Sequence, residues 1–199
     1  EEGKLNLNDK LTDLLKAYKY SGSFNPQVNL HNMLCHISGL PNYNDLPDSL
    51  QKNNFIRFKR MHFQNAEYVD FISQLPAKRP ETEFYYSNFA YHLLPIILED
   101  VYQKSFPLIL EEKITGPLGL KHTFSSTSNQ EIAKKLAVGY NYDEQHQEWR
   151  ANNFIDLTLG RRIFSTAGDL YQWGKAISDT SLLSAKSIKM MTSEHTSAV

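Results

Sequence analysis

The chain has 199 residues, of which 41% are hydrophobic, 12% aromatic and 22% charged, a composition typical of a globular protein with one sizeable core. Its 21 basic and 22 acidic residues leave a formal net charge of -1, which argues against a general attraction to nucleic acid or to an anionic membrane. The apolar stretches are too short to cross a bilayer, and the single cysteine, Cys35, can form neither an intramolecular disulfide nor a cysteine-based zinc site.

Helices dominate the predicted elements of the first half. Apolar residues recur at helical spacing in residues 8–19, and Asn29 is a predicted cap for a helix that stops at Gly39. The polar segment 40–62 is typical of a long surface loop, with a short helix expected at 48–54.

The next predicted helix begins with Asn65 as its cap and extends through Leu75. An extended segment, residues 80–86, is expected to follow. The strongest helical pattern covers residues 87–104, but Pro95 lies inside it, so a kink or a split is predicted there.

The second half is predicted to continue with short helices and one hairpin. The predicted elements are a helix at 106–114 capped by Ser105 and closed by Gly116 and Pro117, paired strands at 138–142 and 147–151, a helix after a capping box of Thr166 and Asp169, and a last helix starting at Ser184. No strands are expected outside the hairpin.

Several common kinds of functional site are absent from the sequence. The seven histidines form no H-E-x-x-H pair, so no metal site is predicted, and no glycine-rich phosphate loop is present, so no cofactor is expected. The run Arg57-Phe58-Lys59-Arg60 mixes basic and aromatic residues, but a single short cluster in a neutral chain favours a solvated face over nucleic-acid binding.

Four motifs follow one another in a fixed order. They are Leu34-Cys35-His36-Ile37-Ser38-Gly39-Leu40-Pro41, Phe84-Tyr85-Tyr86-Ser87-Asn88-Phe89-Ala90-Tyr91, Pro117-Leu118-Gly119-Leu120-Lys121-His122-Thr123, and Ser165-Thr166-Ala167-Gly168-Asp169-Leu170 with Trp173. Together they resemble the serine hydrolases of the class C β-lactamase family, which includes penicillin-binding proteins, D-alanyl-D-alanine carboxypeptidases and esterases. The resemblance extends over nearly the whole chain, from Glu2 to Met191.

The resemblance implies a fold and a set of roles. The fold would be α+β, with this chain as the mainly helical portion and most of the antiparallel sheet outside it. In such enzymes a serine in S-x-x-K attacks a carbonyl and a tyrosine in Y-x-N relays protons. Tyr86 would therefore be catalytic and Asn88 substrate-binding, whereas an isolated Y-S-N would indicate only a half-buried tyrosine before a helix cap.

Other residues of the motifs are expected to be structural. His36 is predicted to be a packed imidazole with its hydrogen bonds satisfied, Ser38 to bond backbone, and Gly39 to end a helix. Cys35 is expected to be a small core residue, and Ser165 and Thr166 to form a helix cap.

Two departures from the family pattern define the predicted domain. The usual S-x-x-K would precede the segment with which this chain begins, and the H-x-G or K-T-G strand would follow Met191. The match at Ser49-Leu50-Gln51-Lys52 lies in a polar loop and is expected to be accidental. Residues 1–199 are therefore predicted to be a single partial domain of a hydrolase that acts on a β-lactam, a D-Ala peptide or an ester.

A non-catalytic binding or scaffold module that keeps the fold is the alternative. No targeting peptide is recognised at Glu1, although the resemblance suggests a periplasmic or secreted protein. The expected partner is a small-molecule or peptide substrate, with no nucleic acid and no membrane span. The sequence leaves the oligomeric state open.

Overall fold

The structure, a computed structural model, describes residues 1–51, 58, 61, 63–80, 83–126, 136–151 and 162–195. In chain order its helices are α1 (Leu11–Leu14), α2 (Leu30–Leu34), α3 (Asn65–Ser73), α4 (Asn88–Tyr102), α5 (Phe106–Leu110), α6 (Gly116–Leu118), α7 (Ala167–Asp179) and α8 (Ala185–Thr192). The strands are β1 (Phe124–Ser126), β2 (Tyr140–Asp143), β3 (Glu148–Ala151) and β4 (Arg162–Phe164). The predicted α+β class with mainly helical content is confirmed.

The first two helices are shorter than predicted. α1 occupies only Leu11–Leu14, because the Leu11 N–H donates to the Val28 carbonyl (3.0 Å) and ties the segment to the strand-like stretch before α2. α2 begins at the predicted cap, where the Asn29 side chain accepts from the Asn32 N–H (2.9 Å). It ends at Leu34, before the predicted end at Gly39, because the chain turns into a left-handed conformation two residues later.

Two 3₁₀ turns, Tyr43–Asp45 and Asp48–Leu50, lie in the predicted long loop. The expected short helix at 48–54 is therefore a single 3₁₀ turn as far as residue 51, and its remaining residues lie outside those described. The run Arg57-Phe58-Lys59-Arg60 is likewise described only at Phe58, whose side chain is fully buried in the core and has no face for stacking on a base.

Helix α3 is capped one residue earlier than predicted, and Asn65 is its first residue. Gln64 is the cap residue, and its N–H donates to the Glu67 carboxylate (2.8 Å). The Asn65 amide instead donates to the Glu99 carboxylate on α4 (2.9 Å), which joins the two helices. α3 ends at Ser73, short of the predicted Leu75.

Helix α4 is the centre of the hydrophobic core. It runs through Pro95 without interruption, so of the predicted kink or split, the split does not occur, and the kink stays a prediction. A proline inside a helix costs about 3 kcal/mol, whereas full burial of one large apolar side chain contributes about 1.5–3 kcal/mol. The buried α4 side chains therefore outweigh the cost of the proline; they are Phe89, Leu93, Ile96 and Ile97.

The helical segment that begins at Phe106 is longer than predicted. α5 passes through a π-helical turn, Glu111–Thr115, directly into α6, and the segment closes at Gly119 with φ 64°, beyond the predicted stop at Gly116 and Pro117. Ser105 makes no side-chain cap bond. The Phe106 N–H donates instead to the Glu99 carboxylate (2.8 Å), because a carboxylate from the neighbouring helix already satisfies this orphan donor.

Two antiparallel strand pairs are present in the described segments. The predicted hairpin is confirmed as β2 and β3, with Tyr140 opposite Ala151. The second pair, β1 with β4, was not predicted, and it places Phe124 opposite Phe164 with their rings stacked at 5.2 Å. The expectation that strands occur only in the hairpin is therefore wrong, because three-residue strands carry no readable alternation.

The last two helices begin at their predicted caps. The Thr166 hydroxyl accepts from the Asp169 N–H (3.2 Å) and the Ser184 hydroxyl from the Ser187 N–H (3.2 Å). The Asp169 carboxylate does not complete a capping box. It accepts instead from the His122 N–H and from the Thr123 hydroxyl, both at 2.8 Å. The third and fourth sequence motifs are thus joined directly. None of the helices in the described segments is long and apolar enough to cross a membrane.

Candidate active site around Tyr86 and Asn88

Tyr86 and Asn88 lie on either side of Ser87 at the start of α4. The Tyr86 side chain is 54% exposed, more than the half-buried tyrosine of an ordinary cap would be, and Asn88 is partly exposed. Residues 83–87 form neither a helix nor a strand, and of these residues Ser87 has an extended backbone, with φ -126° and ψ 110°. The extended segment predicted at 80–86 stays a prediction, and residues 81 and 82 lie outside those described. Both predicted site residues therefore occupy one short surface segment.

Ser87 anchors this segment. Its side chain is fully buried, and its hydroxyl donates to the Pro41 carbonyl (2.7 Å) while accepting from the Ala90 N–H (2.9 Å). One hydroxyl thus caps the helix and holds the first motif against the second. With Ser87 fixed inward, the side chains of its two neighbours are held at the surface.

His36 supports the Tyr86 ring, and its contacts match the prediction of a packed imidazole with its hydrogen bonds satisfied. Its ring lies between those of Tyr86 (centroids 4.3 Å apart) and Tyr91 (4.8 Å apart). Its Nδ1 accepts the Ser87 N–H (3.2 Å), which requires this nitrogen to carry no proton. Burial lowers the pKa of His36, which favours the neutral form.

The turn that follows His36 is shaped by Ser38 and Gly39, both structural as predicted. The buried Ser38 hydroxyl accepts from the Leu40 N–H (3.3 Å). Gly39 has φ +68°, and a Cβ there would lie 2.4 Å from the Lys78 carbonyl oxygen. Only glycine fits this position, which ends the turn rather than the helix itself.

Asn88 belongs to a network of hydrogen bonds that also includes a residue of the loop. Its N–H and its side-chain Nδ2 both donate to Oδ1 of Asn42 (3.1 and 2.9 Å). The Asn42 N–H and the Tyr85 hydroxyl both donate to Oδ2 of Asp45 (2.7 Å each). The neighbouring carboxylate and burial together raise the pKa of Tyr85 to about 12, with burial the larger cause, so this phenol remains a hydrogen-bond donor.

Asn42, Asp45, Tyr85 and Tyr91 were not singled out in the sequence. A signal did exist for the first two, since Asx residues three apart are typical of a capped turn. No comparable local signal identifies Tyr85 or Tyr91, whose partners, Asp45 and the Leu34 carbonyl, are 40 and 57 residues away along the chain.

Two other candidate nucleophiles lie elsewhere. Cys35 is half-buried rather than a core residue, because its Sγ faces His31 (3.6 Å from Nε2), and burial raises the pKa of its thiol. Ser49 is exposed on the 3₁₀ turn Asp48–Leu50, and Lys52 lies outside the described residues. Among the described contacts, neither Cys35 nor Ser49 forms a hydrogen bond with Tyr86.

The site has the chemistry of a phenol and an amide at one edge of an aromatic surface. In the described part of the chain, the Tyr86 hydroxyl makes no hydrogen bond, and Tyr86 takes part in no ion pair or cation–ring contact. A phenol acts as a base near neutral pH only beside a cation that favours its anion. The described residues therefore provide the tyrosine and amide of the motif without its cationic partner.

Comparison with known proteins identifies the family. The family model described as Beta-lactamase matches residues 1–198, and the chain therefore belongs to this family of β-lactamase and penicillin-binding-protein-like hydrolases. Protein flp of Staphylococcus aureus (strain N315) is 30% identical over 144 residues, covering 70% of this chain and 27% of that protein. The D-alanyl-D-alanine-carboxypeptidase/endopeptidase AmpH of Escherichia coli (strain K12) is 28% identical over 169 residues, 82% of this chain and 41% of AmpH.

Solved structures agree with this assignment. The octameric penicillin-binding protein homologue from Pyrococcus abyssi superposes with a TM-score of 0.75 at 25% identity, covering 97% of this chain and 44% of that one. A D-stereospecific amidohydrolase from Streptomyces superposes with a TM-score of 0.80 at 18% identity, covering 98% and 59%. The chain thus spans between about a quarter and three fifths of these relatives.

Proposed function

We propose that this chain is part of a serine hydrolase that acts through an acyl-enzyme on a β-lactam, a D-Ala peptide or an ester. Tyr86 would relay protons and Asn88 would bind substrate. The observation that carries the proposal is the buried Ser87 anchor, which presents these two side chains side by side at the surface. Family membership supports the hydrolase class.

The proposed reaction divides hydrolysis into two steps. In the first step a serine Oγ attacks the carbonyl carbon and gives its proton to a base that includes the Tyr86 oxygen. The leaving group then takes up a proton and departs, and the acyl group remains attached to the serine as an ester. Water then attacks this ester, gives up a proton to the same base, and releases the acid and the serine. We propose that the serine and its lysine come from outside residues 1–199, since Ser49 is exposed in a separate turn.

The names of the relatives favour one class among the three substrates. AmpH is named for action on D-alanyl-D-alanine, and the Streptomyces enzyme for D-stereospecific amide hydrolysis. A D-amino-acid amide bond is therefore the first substrate to assay, with the β-lactam and the ester beside it.

The test compares this chain with a longer protein that also contains the S-x-x-K segment. We expect the 199-residue chain to hydrolyse none of the three substrates above background and the longer protein to hydrolyse at least one, with a covalent adduct detected by mass spectrometry. Tyr86→Phe keeps the ring packing and removes the hydroxyl, so turnover should fall by about 10²- to 10⁴-fold. Tyr142→Phe, at an exposed hairpin tyrosine, is the matched control and should not change turnover.

Three results would contradict the proposal. An adduct on Ser49 in the short chain would place the nucleophile inside it, and full activity of Tyr86→Phe would remove Tyr86 from the mechanism. A longer protein that binds these compounds without forming any adduct would support the non-catalytic binding module instead.

A further inference from the structure

A cleft lies between β1 and the helical segment that runs from α5 through the π-helical turn into α6. Its volume is about 530 Å³, within the range of about 300–1,000 Å³ that is typical of small-molecule sites. Buried Leu110 and Leu120 contribute apolar side chains to its lining, together with Phe124 of β1. The described residues that line this α5–β1 cleft include none of the candidate active site around Tyr86, so the cleft is a separate feature.

The Thr115 side chain supplies the cleft with a polar group that lacks a partner. Thr115 is 8% exposed and lines the cleft, and its hydroxyl makes no hydrogen bond to any described residue. The Ser125 hydroxyl, in the same lining, also lacks a partner and is sealed from solvent. The Thr115 oxygen is not sealed in this way, so its open side faces the cleft. Burying a hydroxyl without a partner costs free energy, which a ligand that supplies the partner recovers.

Two side chains of opposite charge complete the lining. Glu111 lies four residues before Thr115, about one helical turn away. The Leu120 N–H donates to the Thr115 carbonyl (2.8 Å), which brings Lys121 back toward the same residue. In the segments that the structure describes, neither Glu111 nor Lys121 forms an ion pair, whereas the two residues that follow Glu111 in the chain both do. The cleft therefore presents an unpaired carboxylate and an unpaired ammonium.

We propose that the α5–β1 cleft binds a zwitterion with an apolar side chain, a free amino acid or a dipeptide. The ligand ammonium pairs with Glu111, and the ligand carboxylate pairs with Lys121 and accepts from the Thr115 hydroxyl. The ligand side chain lies against the buried leucines of the lining. A simple ion would use only one of the two charges, and an uncharged ligand would use neither. The inference does not rest on the proposed function, because the cleft and the candidate active site have separate linings.

The first test titrates leucine and leucylleucine separately into the ¹⁵N-labelled 199-residue chain and follows the amide resonances by NMR. Saturable shifts are expected for the amides of the lining residues Gly116, Gly119 and Lys121. No such shifts up to about 10 mM of either probe would overturn the proposal. Shifts at Tyr86 and Asn88 in place of these would also overturn it, because the probe would then occupy the candidate active site.

Analogues of leucine separate the two charges. N-acetylleucine lacks the ammonium and leucinamide lacks the carboxylate, so each should bind at least about threefold more weakly than leucine. Lys121→Gln should weaken leucine by a similar factor and leave leucinamide unchanged, and Glu111→Gln should weaken leucine and leave N-acetylleucine unchanged. Equal losses for leucine and the matching analogue in either variant would overturn the assigned pairing.

The matched controls for these two variants are Lys175→Gln on α7 and Glu144→Gln in the β2–β3 hairpin. Both positions are exposed and lie outside the lining of the cleft. Their replacement should change the affinity for none of the three compounds. A loss of leucine affinity in the controls that equals the loss in Lys121→Gln and Glu111→Gln would reduce the effect to net charge and would overturn the proposal.

Thr115→Val tests the hydroxyl, because valine keeps the branched shape of the side chain and removes the oxygen. Since this hydroxyl has no partner among the described residues, the Tm of the free chain should be unchanged or raised. The affinity for leucine should fall by about tenfold, because a hydrogen bond to the ligand carboxylate is lost. Unchanged affinity for leucine would overturn the assignment of the hydroxyl to the ligand, and a lower Tm with that result would show that its role is structural.

Discussion

Replacing Ser87 by alanine is the sharpest test of the architecture around the site. The change removes a helix cap, worth about 1 kcal/mol, because the Ala90 N–H loses its acceptor. It also leaves the buried Pro41 carbonyl without its donor, at a cost of about 1–3 kcal/mol. The expected loss in free energy of unfolding is therefore about 2–4 kcal/mol, equivalent to a decrease in Tm of about 4–16 °C for a chain of this length.

The matched control is Ser105→Ala. Ser105 also precedes a helix, but it is exposed and makes no side-chain cap bond, since Glu99 satisfies the Phe106 N–H. Its replacement should change stability by no more than about 0.5 kcal/mol. Urea denaturation of both variants and the wild type, followed by circular dichroism, measures the difference. Equal losses of unfolding free energy in the two variants would refute the claim that the two buried hydrogen bonds of the Ser87 hydroxyl, and not simply the presence of a serine before a helix, stabilise the start of α4.

Three further predictions test other features. Gly39→Ala should lower the free energy of unfolding by at least about 2 kcal/mol, because strain at positive φ adds to a clash with the Lys78 carbonyl. Gly119→Ala, with φ +64° and open space around the glycine, should lower it by only about 1 kcal/mol. Similar losses in the two variants would show that the clash is unimportant. Burial lowers the pKa of His92 to about 3, so its stabilising contribution is complete above pH 6.5 and is lost as pH falls toward 3, by up to about 1.4 kcal/mol per pH unit. The Tm of His92→Gln should therefore fall less steeply than that of the wild type between pH 6.5 and 5. Parallel curves of Tm against pH would argue against a buried neutral imidazole. Pro95→Ala should raise the free energy of unfolding by about 1–2 kcal/mol, because the gain in helix propensity exceeds the loss of unfolded-state restriction. A lower denaturation midpoint in urea would contradict this.

Features set by neighbouring residues could be predicted from the sequence. The caps at Asn29, Thr166 and Ser184 are confirmed because each depends on a side chain and an N–H only three residues apart. The hairpin is confirmed for the same reason, since its two strands follow one another directly. The position of Tyr86 beside Asn88 also follows from their adjacency in the chain.

Features set by distant residues could not be predicted. β1 pairs with β4 across 40 residues, from Phe124 to Phe164, and the site depends on His36 accepting from Ser87, 51 residues away. Helix ends were misjudged for the same cause. Ser105 has an ideal cap sequence, but a carboxylate from another helix occupies its place. Periodicity reports which face of a segment is apolar, and it does not report where a tertiary contact ends that segment.

Ser126, the last residue of β1, lies opposite Arg162, the first residue of β4, so the segment between them begins and ends at one place in the fold. The hydrogen bond from the Thr123 hydroxyl to the Asp169 carboxylate holds the same two chain segments together, just before β1 and just after β4. Because the two ends of this segment are held together by β1 and β4, lengthening it adds little to the entropic cost of closing the loop. Doubling the length of the segment costs only about 0.6 kcal/mol. Insertions and deletions between residues 127 and 161 should therefore be tolerated during evolution, and this is where members of the family can diverge in size while the Tyr86 region keeps its geometry.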